Sequence, residues 1–126
     1  MIHLDTSVLI DALTGAKRSA PALRAAIAKG ERIAVSALVL YEWRRGPRIP
    51  AELDAQEALL PAETAVPFDS PTAIRAAEIY AKIRRPRGRE VDLAIAACAL
   101  AHGASLWTLN CGDFADVPGL DLYRVL

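Results

Sequence analysis

The chain has 126 residues, and its fifteen Lys plus Arg balance fifteen Asp plus Glu. That length suits a single domain over 1–126 with a buried core. The zero net charge excludes a wholesale polycation, although local patches still decide whether nucleic acid binds.

The longest apolar runs, such as "LAIAACALA", fall far short of the ~20 residues a membrane span needs. Asp5 interrupts any apolar leader core and no basic stretch precedes it, so the expected compartment is the cytoplasm. Cys98 and Cys111 are too few and wrongly spaced for a disulfide framework or a metal clip, and Cys98 is expected in the core.

In chain order, "IHLD" reads as a first strand, followed by a helix from Thr6 to about Thr14 that stops near Gly15. "SAPALRAAIAKG" is a second helix, with Ser19 as N-cap, Pro21 in its first turn and Gly30 as its stop. "RIAVS" is a second strand and "ALVLYEWRRG" a helix ending at Gly46. Pro47 and Pro50 bracket a break before the amphipathic helix "AELDAQEALL". "TAVPFD" is a weak third strand whose Pro67 marks an end or an edge. A long helix, "SPTAIRAAEIYAKIRR", starts at Ser70, and "REVDLAIAACALAHG" follows it to Gly103. "SLWTLN", a polar link and "LDLYRVL" finish the chain. Strands alternating with helices predict an α/β fold with a mainly parallel sheet.

Sites in such folds form beyond the carboxyl ends of the strands, so the polar residues that follow strands are informative. Asp5 ends the first strand among apolar neighbours, where a carboxylate is costly unless compensated. Asn110 ends the fourth strand, with Asp113 three residues on. Glu42 lies about two helical turns past Ser36, roughly 9 Å along the axis. Asp92 falls in the first turn of a helix, where the dipole favours an ionised carboxylate. Taken singly, each acid could be a helix cap or a surface residue. Together on separate elements they could converge, and their repulsion would then force protonation or recruit a hard cation. A cation held so serves phosphoryl transfer or phosphodiester hydrolysis.

"LDTSVLID", "SALVLYEW", "VDLAIAACALAHGASLWTLNCGDF" and "VPGLDLYRVL" resemble the PIN-domain ribonucleases, and more narrowly the VapC toxins of bacterial toxin–antitoxin pairs. The resemblance runs from Ile2 to the C-terminus, with about Pro47 to Arg87 matching in pattern only. It implies a three-layer α/β/α sandwich on a mostly parallel sheet of about five strands. It also implies an acidic cluster of Asp5, Glu42, Asp92 and Asp113 holding Mg²⁺ or Mn²⁺, with Asp5 and Asp92 as the direct ligands. Thr6 would orient the Asp5 carboxylate, and Thr108 and Asn110 would border the site. A homodimer and an antitoxin that blocks the acidic site are implied too. Glu90, two residues before Asp92, is either a fifth acid of the site or a surface acid in the first helical turn.

The expected chemistry is hydrolysis of an RNA phosphodiester by metal-activated water, leaving a 5′-phosphate and a 3′-hydroxyl. Attack by the 2′-hydroxyl would want two well-placed histidines. His3 lies inside the first strand and His102 at a helix end, so the metal route is favoured. Basic contacts must offset the acids toward a polyanion. Arg44, Arg45 and Arg48 follow Glu42, and Lys82, Arg84, Arg85, Arg87 and Arg89 precede Asp92. Arg44, Arg45, Arg85 and Arg87 are the leading candidates for RNA contact, against the alternative that they only solvate helix ends. Trp43 and Tyr80 could stack on bases, although their neighbours suggest packing, and "AIRAAEIYAKI" could supply the dimer face. A HAD-like phosphatase would want a second Asp at position 7, where this chain has Ser7. A catalytically weak PIN-like module binding RNA or protein is the remaining alternative.

Overall fold

The computed structural model describes residues 1–125. Three short strands pair in parallel in the order β2-β1-β3: β1 is Ile2–Leu4, β2 Ile33–Ala34 and β3 Ser105–Trp107. Ile2 sits opposite both Ile33 and Ser105, and Leu4 opposite Trp107. All three β1 residues are buried, as expected of a central parallel strand covered on both faces.

Each edge is extended by a single bridge, Ser36 with Val66 on one side and Leu106 with Leu122 on the other. The expected five strands therefore become three strands and two bridges. "TAVPFD" stops after one residue pair because Pro67, next to Val66, has no N–H to donate. At the other edge, Leu106 makes both bonds to the final segment, to Asp121 O and from Tyr123 N, and β3 ends one residue later. The last residue of "LDLYRVL", Leu126, lies outside the described residues.

Among the described residues six helices flank the sheet: α1 (Thr6–Leu13), α2 (Ala20–Ala28), α3 (Ala37–Arg45), α4 (Pro50–Leu59), α5 (Ser70–Lys82) and α6 (Glu90–Ala101). Together they make an α/β sandwich. α6 is buried continuously from Leu93 to Ala99 because its small apolar residues let α5, α3 and β3 approach closely. Cys98 lies in that stretch, as expected, and burial pushes its thiol up to about 11. Among the described residues no helix is long and apolar enough to cross a membrane.

Ser19 stands at the N-cap position of α2 as expected, but its hydroxyl does not cap the helix and donates instead to Asp11 Oδ2 at 2.6 Å. The cap of α5 is Asp69, one residue before Ser70, whose carboxylate accepts from Thr72 N–H at 3.1 Å. Ser70 is already the first helical residue, so the carboxylate before it is the group placed to accept a free amide of the first turn. The connection from β1 leads to β2 on one side, and β3 lies on the other. This is the switch point at which a crevice opens beyond the strand ends.

Candidate active site

Asp5 stands at the N-cap position of α1, but its side chain caps nothing. The residue is 5% exposed, and its carboxylate is held by two hydroxyls on the same oxygen. Thr108 Oγ1 donates to Oδ2 at 2.7 Å and Ser7 Oγ donates to Oδ2 at 2.9 Å. Each hydroxyl in turn accepts a backbone N–H from the loop after β3: Asn110 N to Thr108 at 3.0 Å and Leu109 N to Ser7 at 3.1 Å. With both protons committed to Asp5, the β1–α1 turn and the β3 loop are stitched around one carboxylate oxygen. Oδ1 accepts no hydrogen bond from the described residues, so it remains available to a ligand.

Thr6 does not orient Asp5 as expected. Its hydroxyl donates to Glu42 Oε1 at 2.6 Å. As the first residue of α1, Thr6 points toward the packed neighbour α3 rather than back along the strand. Ser7, which the sequence sets apart only as a departure from the HAD pattern, does the work expected of Thr6. The signal available was a second hydroxyl two residues beyond a buried acid, within reach of its side chain. Glu42 Oε2 also lies 3.9 Å from Arg45 Nη2.

Asp92 enters from the first turn of α6. Its carboxyl is pushed up to about 6, first by burial and then by the charges of Asp5, Asp113 and Glu42, against the opposing pull of Arg89. The four acids thus share one electrostatic field. They are not equally placed, however. Asp5, Glu42, Asp92, Asn110, Arg45 and Arg48 line one cleft of about 400 Å³, while Asp113 sits exposed on the 3₁₀ turn Cys111–Asp113 beside it. Among the described residues, no three His, Cys, Asp or Glu side chains lie close enough together to form a ready-made metal site.

Glu90 is turned away. Its Oε1 accepts Gly88 N–H at 3.2 Å and its side chain borders an apolar hollow with Tyr80 and Val91, which is the surface-acid alternative. The arginines also separate. Arg44 pairs with exposed Glu57 at 3.4 Å, and Arg85 and Arg87 are exposed and do not line the cleft. Of the four leading candidates only Arg45 lines it, joined by Arg48. Arg89 donates to both oxygens of Asp116, at 2.9 and 2.6 Å, and to the Asp113 carbonyl at 2.7 Å. Trp43 is fully buried and is therefore a packing residue; Tyr80 borders the apolar hollow.

The chain matches the family model described as PIN domain over residues 2–120. It belongs to the PIN-domain family. It is 34% identical over 119 residues to Ribonuclease VapC19 of Mycobacterium tuberculosis, covering 93% of this chain and 94% of that protein. Among solved structures it resembles VapBC2 from Rickettsia felis bound to a promoter DNA fragment, with TM-score 0.77, 25% identity and 98% of each chain covered. It also resembles FitAcB from Neisseria gonorrhoeae, with TM-score 0.74 and 26% identity, covering 98% of this chain and 97% of that one. DNA-bound VapBC from Salmonella typhimurium superposes with TM-score 0.81 at 23% identity over 99% and 98% of the two chains, a likeness of fold. Of the four acids that the sequence singles out, Asp5, Glu42 and Asp92 line the cleft at the switch point.

Proposed function

We propose that this PIN domain is a divalent-metal-dependent endoribonuclease and the toxin of a toxin–antitoxin pair. The observation that carries the proposal is the free Oδ1 of Asp5, in a cleft shared with Glu42 and Asp92. The donor set fits Mg²⁺ or Mn²⁺: every candidate ligand is a carboxylate oxygen, and Mg²⁺ typically takes one or two carboxylates and keeps its waters. That also accords with acids too far apart to cage an ion by themselves.

Asp5 and Asp92 would be the direct ligands, with Glu42 and Asp113 completing the negative field. A cation bound there supplies charge stabilisation at the phosphate and lowers the pKa of water. Ser7 and Thr108 keep Asp5 Oδ2 satisfied, so that Oδ1 faces the ligand. Thr6 fixes one oxygen of Glu42, and Asn110 borders the cleft. These fixed groups spare the site reorganisation when substrate arrives.

The whole chain acts as one domain in the cytoplasm, with a cognate antitoxin that covers the acidic cleft. A homodimer would bury the apolar hollow between Phe68, Tyr80 and Val91, each more than a third exposed.

Purified protein is incubated with total cellular RNA in Mg²⁺ or EDTA, beside Asp5→Ala and Asp92→Ala. Metal-dependent cleavage that vanishes in both folded variants and leaves 5′-phosphate ends is the expected result. Equal cleavage in EDTA and in both variants would overturn the four-acid site. No cleavage by a folded, metal-binding protein would favour the binding-module alternative.

A further inference from the structure

Arg48 is unlike the other arginines near the acids. Arg44, Arg45 and Arg89 each face a carboxylate, whereas Arg48, which lines the acidic cleft, forms no ion pair among the described residues. Its Nε donates to the Trp43 carbonyl at 3.0 Å, and its Cζ lies 4.3 Å from the centroid of the buried Trp43 ring. Stacking and the single Nε bond fix the guanidinium plane while leaving its four Nη N–H donors uncommitted.

Gly46 makes room for this pose. A Cβ at position 46 would stand 2.7 Å from Arg48 Nη2 and 3.0 Å from Cζ, closer than side chains pack. Gly46 itself has an ordinary backbone conformation, with φ −72° and ψ 170°. Its requirement is therefore space for the arginine, not backbone freedom.

We propose that Arg48, braced by Trp43 and admitted by Gly46, is the cleft's phosphate anchor, gripping a non-bridging oxygen of the RNA strand beside the acids. This rests on the ribonuclease function proposed above. A long side chain ordered in advance loses little entropy on binding, and its fork geometry matches two phosphate oxygens. Lining the same cleft as Asp5 and Asp92, it offsets the repulsion that the acids exert on a polyanion.

The test measures binding without cleavage. Affinity for a fluorescent mixed-sequence single-stranded RNA is followed by anisotropy at several salt concentrations, in EDTA and in an Asp92→Asn background that cannot cut. Arg48→Ala is expected to weaken binding about tenfold and to reduce the salt slope by about 0.7, one phosphate contact on a single strand. Gly46→Ala should produce the same loss alone but none when added to Arg48→Ala. Arg48→Lys should recover the salt slope but only part of the affinity. Thermal melting checks that each variant folds.

Unchanged affinity and slope in folded Arg48→Ala, or no RNA binding by the parent, would overturn the proposal. So would a Gly46→Ala loss that persists without Arg48. If Arg48-dependent binding holds while the wild type cleaves nothing in Mg²⁺, the anchor stands and the nuclease assignment falls. Cleavage with Arg48-independent binding would mean the reverse.

Discussion

The Thr6 hydroxyl donates to Glu42 Oε1 at 2.6 Å across 36 residues of sequence, fastening the start of α1 to α3. One oxygen of Glu42 is thereby fixed, while the other reaches toward Arg45. Thr6→Val keeps the shape and removes the donor. It should lower Mn²⁺ affinity and RNA cleavage by about 10–100-fold, the range typical for groups that orient metal ligands. Thr6→Ser should keep most of both. Metal titration and initial cleavage rates, measured side by side, check this; an undiminished Thr6→Val would remove Glu42 from the site.

Asp5 depends on two donors to one oxygen. Thr108→Val leaves the carboxylate of buried Asp5 with Ser7 as its only side-chain donor among the described residues. A buried charged group that loses a partner costs about 1–3 kcal/mol, so the urea midpoint should fall accordingly. Ser7→Ala should cost a similar amount. Because either hydroxyl can partly serve the carboxylate alone, the double variant should lose more than the sum of the singles. Strict additivity would mean that the two bonds are independent of the shared oxygen.

Asp92 is a stability liability in the metal-free protein. Its folded pKa of about 6 lies above the ordinary 3.8, so the folded state holds the proton more tightly than the unfolded one. Stability associated with Asp92 is therefore greatest below pH 3.8 and is lost as pH rises through about 6. Asp92→Asn should stabilise the EDTA-treated protein near pH 7 by on the order of 1–2 kcal/mol after solvent screening, and by little near pH 4. Mg²⁺ should stabilise the wild type but not the variant. Urea unfolding at the two pH values, with and without Mg²⁺, reads all four quantities.

Arg89 clips the loop carrying Asp113 onto the start of α6, through both oxygens of Asp116 and the Asp113 carbonyl. Asp116 is half exposed, so global stability should change little in Arg89→Ala. Amide hydrogen exchange over residues 111–116 should quicken several-fold in the metal-free variant while the core stays protected. Arg89→Lys should not restore protection, because an ammonium cannot reproduce the two-pronged grip. Unchanged exchange in the loop would show that the turn holds itself.

The alternation of apolar strands and helices, and the acids after strands, were legible because periodicity and strand-end position are local signals. How short the edge strands are was not, since a single bridge at Val66 or Leu122 depends on where β2 and β3 stop. Which hydroxyl serves which acid was also hidden. Thr6 and Ser7 are adjacent in sequence, and only the placement of α3 and the β3 loop sends one to Glu42 and the other to Asp5. The arginines divided in the same way: "RRGPR" shows three cations, but only folding pairs two of them and leaves Arg48 facing the cleft.

His3 gives the fold an acid limit of the opposite sign to Asp92. It is 1% exposed in the central strand, neither ring nitrogen has a hydrogen-bond partner among the described residues, and the His102 ring lies 5.6 Å away. Burial, then the charges of His102 and the N-terminus, lower its pKa from 6.5 to about 4. The unfolded chain thus takes the proton first. Its contribution is complete above pH 6.5 and is lost as pH falls toward 4, by at most about 3 kcal/mol. His3→Leu removes two unsatisfied polar atoms from the core, so it should be near neutral at pH 7 and more stable than wild type near pH 4.5. Over the same interval Asp92 gains stability as pH falls, so the two slopes partly cancel in the wild type. His3→Leu should expose the Asp92 slope, with stability rising on acidification, and Asp92→Asn should steepen the fall due to His3. Urea unfolding between pH 7 and 4.5 measures both. Parallel profiles in wild type and His3→Leu would show that His3 accepts its proton without cost in the fold.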